Sequence, residues 1–196
     1  MNAPSQTRLG RTLAVLLLAG ATTAIAAESR DTLTASADYG HQEVRPAAGT
    51  GAATARGNFM VDLEYARRLW STFELTFAGN LRRVAQDTGA GESDRLLTAV
   101  QAGFRYYVRE PGRSAWTPFF EASVGEAWLQ KKTAGTITRQ EFQGYDLGAG
   151  VAFRLQPDLD LRVSAVFEDY SAKGATGGNQ DILTRLGLRI GAAFRF

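Results

Sequence analysis

The C-terminal stretch Arg185–Phe196 reads Arg-Leu-Gly-Leu-Arg-Ile-Gly-Ala-Ala-Phe-Arg-Phe, and its side chains alternate in character. One phase is apolar: Leu186, Leu188, Ile190, Ala192, Phe194 and Phe196. The other phase is charged or very small: Arg185, Gly187, Arg189, Gly191, Ala193 and Arg195. Because successive side chains of a strand point to opposite faces, the stretch predicts a β-strand with two chemically different faces.

The chemistry of the two faces bears on what surrounds this strand. A soluble sandwich or calyx turns its apolar face inward, whereas a transmembrane barrel turns it toward lipid. Here the opposite face mixes arginine with glycine, and the final residue, Phe196, is aromatic. These features favour the closing strand of a transmembrane barrel with a small polar lumen.

Seven further stretches alternate in the same way, so we predict an all-β, eight-stranded antiparallel up-and-down transmembrane β-barrel. The predicted strands are Thr32–Gln42, Arg56–Arg67, Thr72–Val84, Arg95–Arg109, Trp116–Leu129, Arg139–Arg154, Leu159–Tyr170 and Arg185–Phe196. The predicted long loops are Val44–Ala55, Ala85–Asp94, Gln130–Thr138 and Ser171–Gln180. Short turns are expected between them, at Arg68–Ser71, Glu110-Pro111-Gly112 and Gln156-Pro157-Asp158. Long and short connections alternate, which puts both ends of the barrel domain on the side of the short turns.

The N-terminal residues 1–27 predict a cleaved signal peptide. Arg8 and Arg11 precede the apolar run Leu13–Leu18, and small residues follow at Ala24–Ala27. The alternative is a membrane anchor, but this run is shorter than the roughly 20 residues that a spanning helix needs. The predicted domains are therefore a signal peptide, 1–27, and a barrel, 28–196.

Composition excludes several classes of function. The chain has 22 Lys and Arg against 20 Asp and Glu, and removal of Arg8 and Arg11 leaves 20 of each. A nucleic-acid partner is not expected, because the barrel domain has no excess of positive charge. With no cysteine and no metal-ligand spacing, neither a metal site nor a cofactor is expected.

Charged residues occupy the polar phase, which faces the lumen. They are Asp62, Glu64, Glu74, Arg105, Glu121, Asp146, Arg162 and Arg189. Since buried charges need partners, we predict a carboxylate–guanidinium network that fills the lumen, with Arg105 between Glu74 and Glu121. The alternative is a conducting pore or a proton path.

Aromatic residues in the outward phase predict two girdles at the membrane surfaces. The first, on the side of the short turns, comprises Tyr65, Phe73, Tyr106, Trp116, Phe120, Phe153 and Phe194. The second, on the external side, comprises Tyr39, Phe59, Phe77, Trp128, Tyr145 and Phe167.

Two acidic residues, Glu126 and Asp169, interrupt the apolar phase. One interpretation places both at the level of the lipid headgroups. The other is a β-bulge that reverses the phase.

His41 is the single histidine of the chain. A nucleophilic site needs a histidine within hydrogen-bond reach of a serine and of an orienting carboxylate. No motif connects His41 to Ser36 or Ser171, so we predict no catalytic residues and an exposed histidine at the barrel rim.

The signal peptide, eight strands, alternating connections and Ala193-Phe194-Arg195-Phe196 ending resemble the small outer-membrane barrels of the OmpX/Ail and OmpA-barrel type. The resemblance implies a Gram-negative outer membrane, periplasmic termini, contact with lipid and lipopolysaccharide, and a monomer. It also implies that the barrel-assembly machinery reads Phe194 and Phe196. The loops are shorter and poorer in aromatics than those of adhesin members.

Three functional hypotheses follow. The leading one is a non-enzymatic barrel that contributes to envelope integrity or to surface interaction through its external loops. The second is a small porin-like channel for ions or solutes, and the third is a lipid-A-modifying enzyme. Pairing of the lumen charges, and the neighbours of His41, separate the three.

Overall fold

The computed structural model describes residues 30–45, 53–87, 92–133, 136–173 and 182–196, and these contain eight strands. The strands are β1 (Asp31–Arg45), β2 (Ala53–Trp70), β3 (Phe73–Asp87), β4 (Glu92–Tyr107), β5 (Trp116–Thr133), β6 (Thr136–Gln156), β7 (Leu159–Ala172) and β8 (Ile182–Arg195). Those ranges hold no helix long and apolar enough to cross a membrane. The predicted signal peptide, 1–27, lies outside the described residues.

The strands form a closed barrel in which each pairs with its neighbours in sequence and β1 pairs with β8. The closing ladder is antiparallel and runs from Thr32 opposite Arg195 to Arg45 opposite Ile182. The predicted strand number and closure are confirmed. Closure matters physically because a barrel without edges satisfies its backbone hydrogen bonds without help from water.

The apolar phase of the strands points outward. Tyr39 is 66 % exposed and Leu186 63 %, whereas Arg105 on the opposite face is 3 % exposed. Other outward apolar side chains are Leu33, Phe59, Val61, Leu63, Phe77, Leu81, Phe104, Val124, Leu147, Leu188 and Ile190. This distribution is inverted relative to a soluble calyx, so the apolar surface is one that lipid would cover.

The aromatics of both predicted girdles lie in the outward phase, as expected. Their level relative to lipid stays a prediction. Inward aromatics occur as well and form two buried apolar clusters at opposite ends of the lumen. One contains Phe142 and Tyr170 with Leu97, Leu129 and Leu183. The other contains Tyr107, Phe119 and Ala152.

The predicted alternation of long and short connections is only partly right. Residues 71–72 and 157–158 form tight turns, but 108–115 form a longer connection because β4 ends at Tyr107 instead of Arg109. Gly112 in that connection has φ of 105°, a conformation that glycine adopts without strain. We call the barrel end with these three connections the turn end, and the opposite end the loop end.

At the loop end the strands extend farther than predicted. Pairing continues to Asp87 opposite Glu92 and to Thr133 opposite Thr136, so most of the predicted loops Ala85–Asp94 and Gln130–Thr138 is β-ladder. Backbone pairing needs no apolar side chains where a hairpin extends into water. The prediction from apolar alternation therefore placed the ends of these strands too early. Within the other two predicted loops, residues 46–52 and 174–180 lie outside the described residues.

Glu126 and Asp169 both face outward, and the pairing on either side of each is continuous. The bulge interpretation is therefore wrong. Glu126 forms an ion pair with Lys173, whose Nζ lies 2.5 Å from the carboxylate. The hydroxyl of Tyr145 donates a hydrogen bond to Asp169 at 3.4 Å.

Ile190→Arg should destabilise the barrel in lipid by about 2–4 kcal/mol, whereas Leu155→Arg should cost about 1 kcal/mol or less. Ile190 points outward on β8, roughly 13 Å above Arg195 at a rise of ~3.3 Å and a tilt of ~40°, near the middle of the apolar band. Leu155 is also exposed but lies at the turn end of β6. Urea unfolding in lipid vesicles measures both, and equal losses would contradict an outward lipid face.

Candidate functional site

Arg105 is the centre of the charge network on the turn side of the lumen. Its Cα lies directly opposite Glu74 on β3 and Glu121 on β5. Its guanidinium contacts Glu121 at 2.7 Å and Glu74 at 3.4 Å, so Arg105 lies between them as predicted. It also forms a two-pronged pair with Glu64, Nη1 to Oε1 at 2.9 Å and Nη2 to Oε2 at 2.7 Å.

Arg162 on β7 reaches the same carboxylates from the opposite wall. Its Nη1 lies 3.2 Å from Glu64 and its Nη2 lies 3.4 Å from Glu74. Nη2 also donates to the hydroxyl of Tyr107 at 2.7 Å, and that hydroxyl donates to Glu74 at 3.1 Å. We call Glu64, Glu74, Arg105, Glu121 and Arg162 the turn-side cluster. Its guanidiniums and carboxylates satisfy one another across the lumen.

A second cluster lies nearer the loop end and was not among the predicted site residues. Arg185 donates to Asp38 and, at 2.9 Å, to Glu168. Arg82 pairs with Glu168 at 2.5 Å and donates to Gln42 at 3.0 Å. We call Asp38, Arg82, Glu168 and Arg185 the loop-side cluster.

The loop-side cluster could have been found from the sequence. All its members lie in the polar phase, and Glu168 on β7 is directly opposite Arg185 on β8. The predicted network does not include them, because alternation along a strand places a charge on the lumen face but does not show which charges meet across the lumen.

Arg189 connects the two clusters. Its Nη1 lies 3.3 Å from Glu121 of the turn-side cluster, and its Nε lies 3.7 Å from Asp38 of the loop-side cluster. The same Nε is 3.5 Å from Asp62, which also accepts a bond from Ser36. Removing Arg189 would leave Asp62 without a cation, whereas Glu121 would keep Arg105 and Asp38 would keep Arg185.

Asp146 differs from the other predicted lumen charges because it pairs with neutral side chains. Gln101 Nε2 donates to its carboxylate and also to the Tyr170 hydroxyl at 2.6 Å. One oxygen of Asp146 and one of Asp62 are buried without a hydrogen-bond partner among the described side chains. Each of these oxygens can accept a hydrogen bond from a water molecule.

Two cavities beside Arg189 have volumes of about 20 Å³ each, room for roughly one water molecule apiece. Gly148 faces Glu121 on the paired strand, and a Cβ there would lie 2.6 Å from the Glu121 side chain. The glycine therefore gives that carboxylate the space it occupies. Among the described residues, no group of His, Asp and Glu is arranged to hold a metal ion.

The structure does not bring the suggested catalytic residues together. His41 is exposed on the outer face of β1, whereas Ser36 is buried on its lumen face. Ser171 pairs with Ile182 on β8, four residues from Leu186, the partner of His41. The geometry gives no serine–histidine pair at these positions.

Comparison with known proteins finds a match to a family model described as an outer membrane protein beta-barrel domain, over residues 12–196. No protein with a curated description matches the chain.

Several solved structures share the architecture. Neisserial surface protein A has 18 % identity and a TM-score of 0.60, covering 84 % of this chain and 97 % of its own. Ail, the attachment invasion locus protein of Yersinia pestis, has 14 % identity and a TM-score of 0.52, covering 84 % and 99 %. The outer membrane enzyme PagL has 18 % identity and a TM-score of 0.51, covering 83 % and 99 %. At these identities the likeness shows the fold alone.

Arg105→Ala should lower the free energy of unfolding by about 3–5 kcal/mol, because it leaves carboxylates buried without their cation. Arg113→Ala is the matched control. Arg113 also pairs with a carboxylate, Glu110, but its side chain is 80 % exposed, so the loss should be about 1 kcal/mol or less. Unfolding of both variants in lipid vesicles measures the difference, and a neutral Arg105→Ala would show that the network is dispensable.

Proposed function

The chain belongs to the outer membrane protein β-barrel domain family, and on that premise we propose that it is a non-enzymatic, non-conducting barrel of the Gram-negative outer membrane. It contributes to the integrity of the envelope and presents its loop end to the outside. The turn end, which holds Arg30 and Phe196, faces the periplasm. Support for this orientation comes from the tight turns at residues 71–72 and 157–158, since periplasmic turns are short in such barrels.

The observation that carries the proposal is the filled lumen. Nine charged side chains of the two clusters occupy it, and Arg189 ties the clusters together. Buried apolar side chains lie at both ends, Phe142 and Leu97 on one side and Tyr107 and Phe119 on the other. An ion crossing this lumen would have to displace paired charges and apolar side chains, so the structure favours a plug over a pore.

Contact with lipopolysaccharide would occur at the loop-side edge of the apolar band. Glu126 and Asp169 face outward in the loop-end halves of β5 and β7, and Lys173 pairs with Glu126. Carboxylates at headgroup level can share divalent cations with lipid phosphates, since hard cations prefer oxygen ligands. This arrangement would anchor the barrel in the outer leaflet.

The loop end offers a surface for interaction. β5 continues seven residues past Glu126 to Thr133, and β6 starts at Thr136. At ~3.3 Å per residue and a tilt of ~40°, this hairpin rises roughly 18 Å above the level of Glu126. A paired hairpin of this height would hold its tip clear of the lipid headgroups.

Assembly would use the terminal strand. Phe194 points outward from β8, and the backbone N–H of Phe196 donates to Asp31 at 3.0 Å, at the closing seam. We assign Phe194 and Phe196 as the signal that the barrel-assembly machinery reads, because the apolar side chains of β8, such as Phe194, lie on its outer face.

In a planar lipid bilayer the purified wild-type protein should show no steady conductance. Arg189→Ala should produce brief openings, because it disconnects the two clusters and leaves Asp62 without its cation. Arg113→Ala, at the exposed turn, should behave like the wild type. A steady open state in the wild type would overturn the proposal and favour the porin-like hypothesis.

A further inference from the structure

A cavity of about 570 Å³ opens at the turn end of the barrel. Its walls come from three connections around the rim: Ser71 between β2 and β3, next to Trp70 at the end of β2, Glu110 between β4 and β5, and Pro157 between β6 and β7. Because these connections surround it, the cavity lies inside the ring of turns and not on the lipid-facing wall. We call it the turn-end cavity. Its volume falls in the range of about 300–1,000 Å³ that is usual for small-molecule sites.

Arginine dominates the charge of the turn-end cavity. Arg30, Arg68, Arg154 and Arg195 line it, and Glu110 is the one acidic residue among its described lining. Glu110 is already paired with Arg113 at 2.5 Å. The walls therefore present four guanidiniums to a space with little opposing charge.

The carboxylates behind these arginines do not neutralise them. Arg154 and Arg195 share Asp160, which Arg195 contacts directly and Arg154 approaches at 3.5 Å. Arg68 pairs with Glu74 at 3.2 Å, but Glu74 also serves Arg105 and Arg162 of the turn-side cluster.

Arg30 is exposed and forms no ion pair with the described part of the chain. The four arginines of the cavity thus have Asp160 as their own carboxylate, and they share Glu74 with Arg105 and Arg162. The surplus is held in a concave space, where the field of fixed charges is concentrated.

Three of the four guanidiniums, those of Arg68, Arg154 and Arg195, are also held in place. Arg195 donates to the carbonyl oxygen of Pro157 at 3.2 Å, and Arg154 donates to that of Gly112 at 3.5 Å. The side chains of Arg68, Arg154 and Arg195 are 19 %, 29 % and 6 % exposed. Their Nε atoms are buried without a hydrogen-bond partner in the described structure. A ligand would meet donors that are already oriented, which lowers the entropic cost of binding.

We propose that the turn-end cavity binds a small soluble polyanion that carries two or more phosphate or carboxylate groups. Guanidinium groups suit both, because their planar fork matches the paired oxygens of either anion. Trp70, 67 % exposed at the rim, adds an aromatic face beside the charges. A single anionic group would leave most of the four guanidiniums unsatisfied, so a multivalent ligand fits best.

The test is isothermal titration calorimetry on protein purified from outer membranes in neutral detergent, with sodium pyrophosphate and sodium citrate as separate probes. Wild-type protein should bind at least one probe saturably, one to one. Pyrophosphate alone would identify phosphate as the recognised group, and citrate alone would identify carboxylate. Arg30→Gln should weaken binding about tenfold, as expected for loss of a charge-assisted hydrogen bond.

Arg109→Gln is the matched control, since Arg109 is exposed at the same barrel end, lies over the Trp116 ring and does not line the cavity. Its affinity should equal that of the wild type. Arg30→Gln does not threaten folding, because Arg30 is exposed and lacks an ion pair in the described chain. Absence of saturable binding for both probes, or equal losses in the two variants, would overturn the proposal. Neither outcome depends on whether the barrel conducts.

Discussion

Inside a lipid bilayer each backbone N–H and C=O must find a partner within the protein, and the pairing of β1 with β8 meets this requirement. Closure at eight strands then fixes the width of the interior, which is just enough for side chains to fill. The two phases of each strand consequently meet different surroundings. Apolar side chains such as Leu188 and Ile190 face outward, and polar ones such as Arg105 and Glu74 face a narrow lumen.

The content of that lumen follows from the cost of burying charge. Ions removed from water lose several kcal/mol each, and close pairing with extra hydrogen bonds offsets the loss. Here Arg105 serves three carboxylates, Glu64, Glu74 and Glu121, and Arg162, Arg185 and Arg189 also serve more than one. Such sharing makes the network a unit, because removal of one member leaves several others without a partner. A filled lumen of this kind suits a barrel whose role is carried by its surfaces.

The two ends of the barrel have different characters as a result of where the paired strands stop. At the loop end the β5–β6 ladder continues to Thr133 opposite Thr136, so paired strands replace most of the predicted loop. At the turn end, short connections bring arginines from β2, β6 and β8 around one cavity. The proposed surface role belongs to the first end and the proposed anion site to the second. Each can therefore be altered without the other.

The period-two pattern of the sequence by itself determined the strand number, the closure and the face of each side chain, because those depend only on alternation and on which face tolerates lipid. It also predicted the inward charges and the placement of Arg105 between its neighbours on β3 and β5. Only the tertiary structure decided the pairs across the lumen, such as Arg162 with Glu74 and Arg82 with Glu168, and the extent of the hairpins. These pairs join residues that are 88 and 86 positions apart in the chain. They meet because strand stagger and barrel width set the height and reach of each side chain, and alternation along a strand carries no information about either.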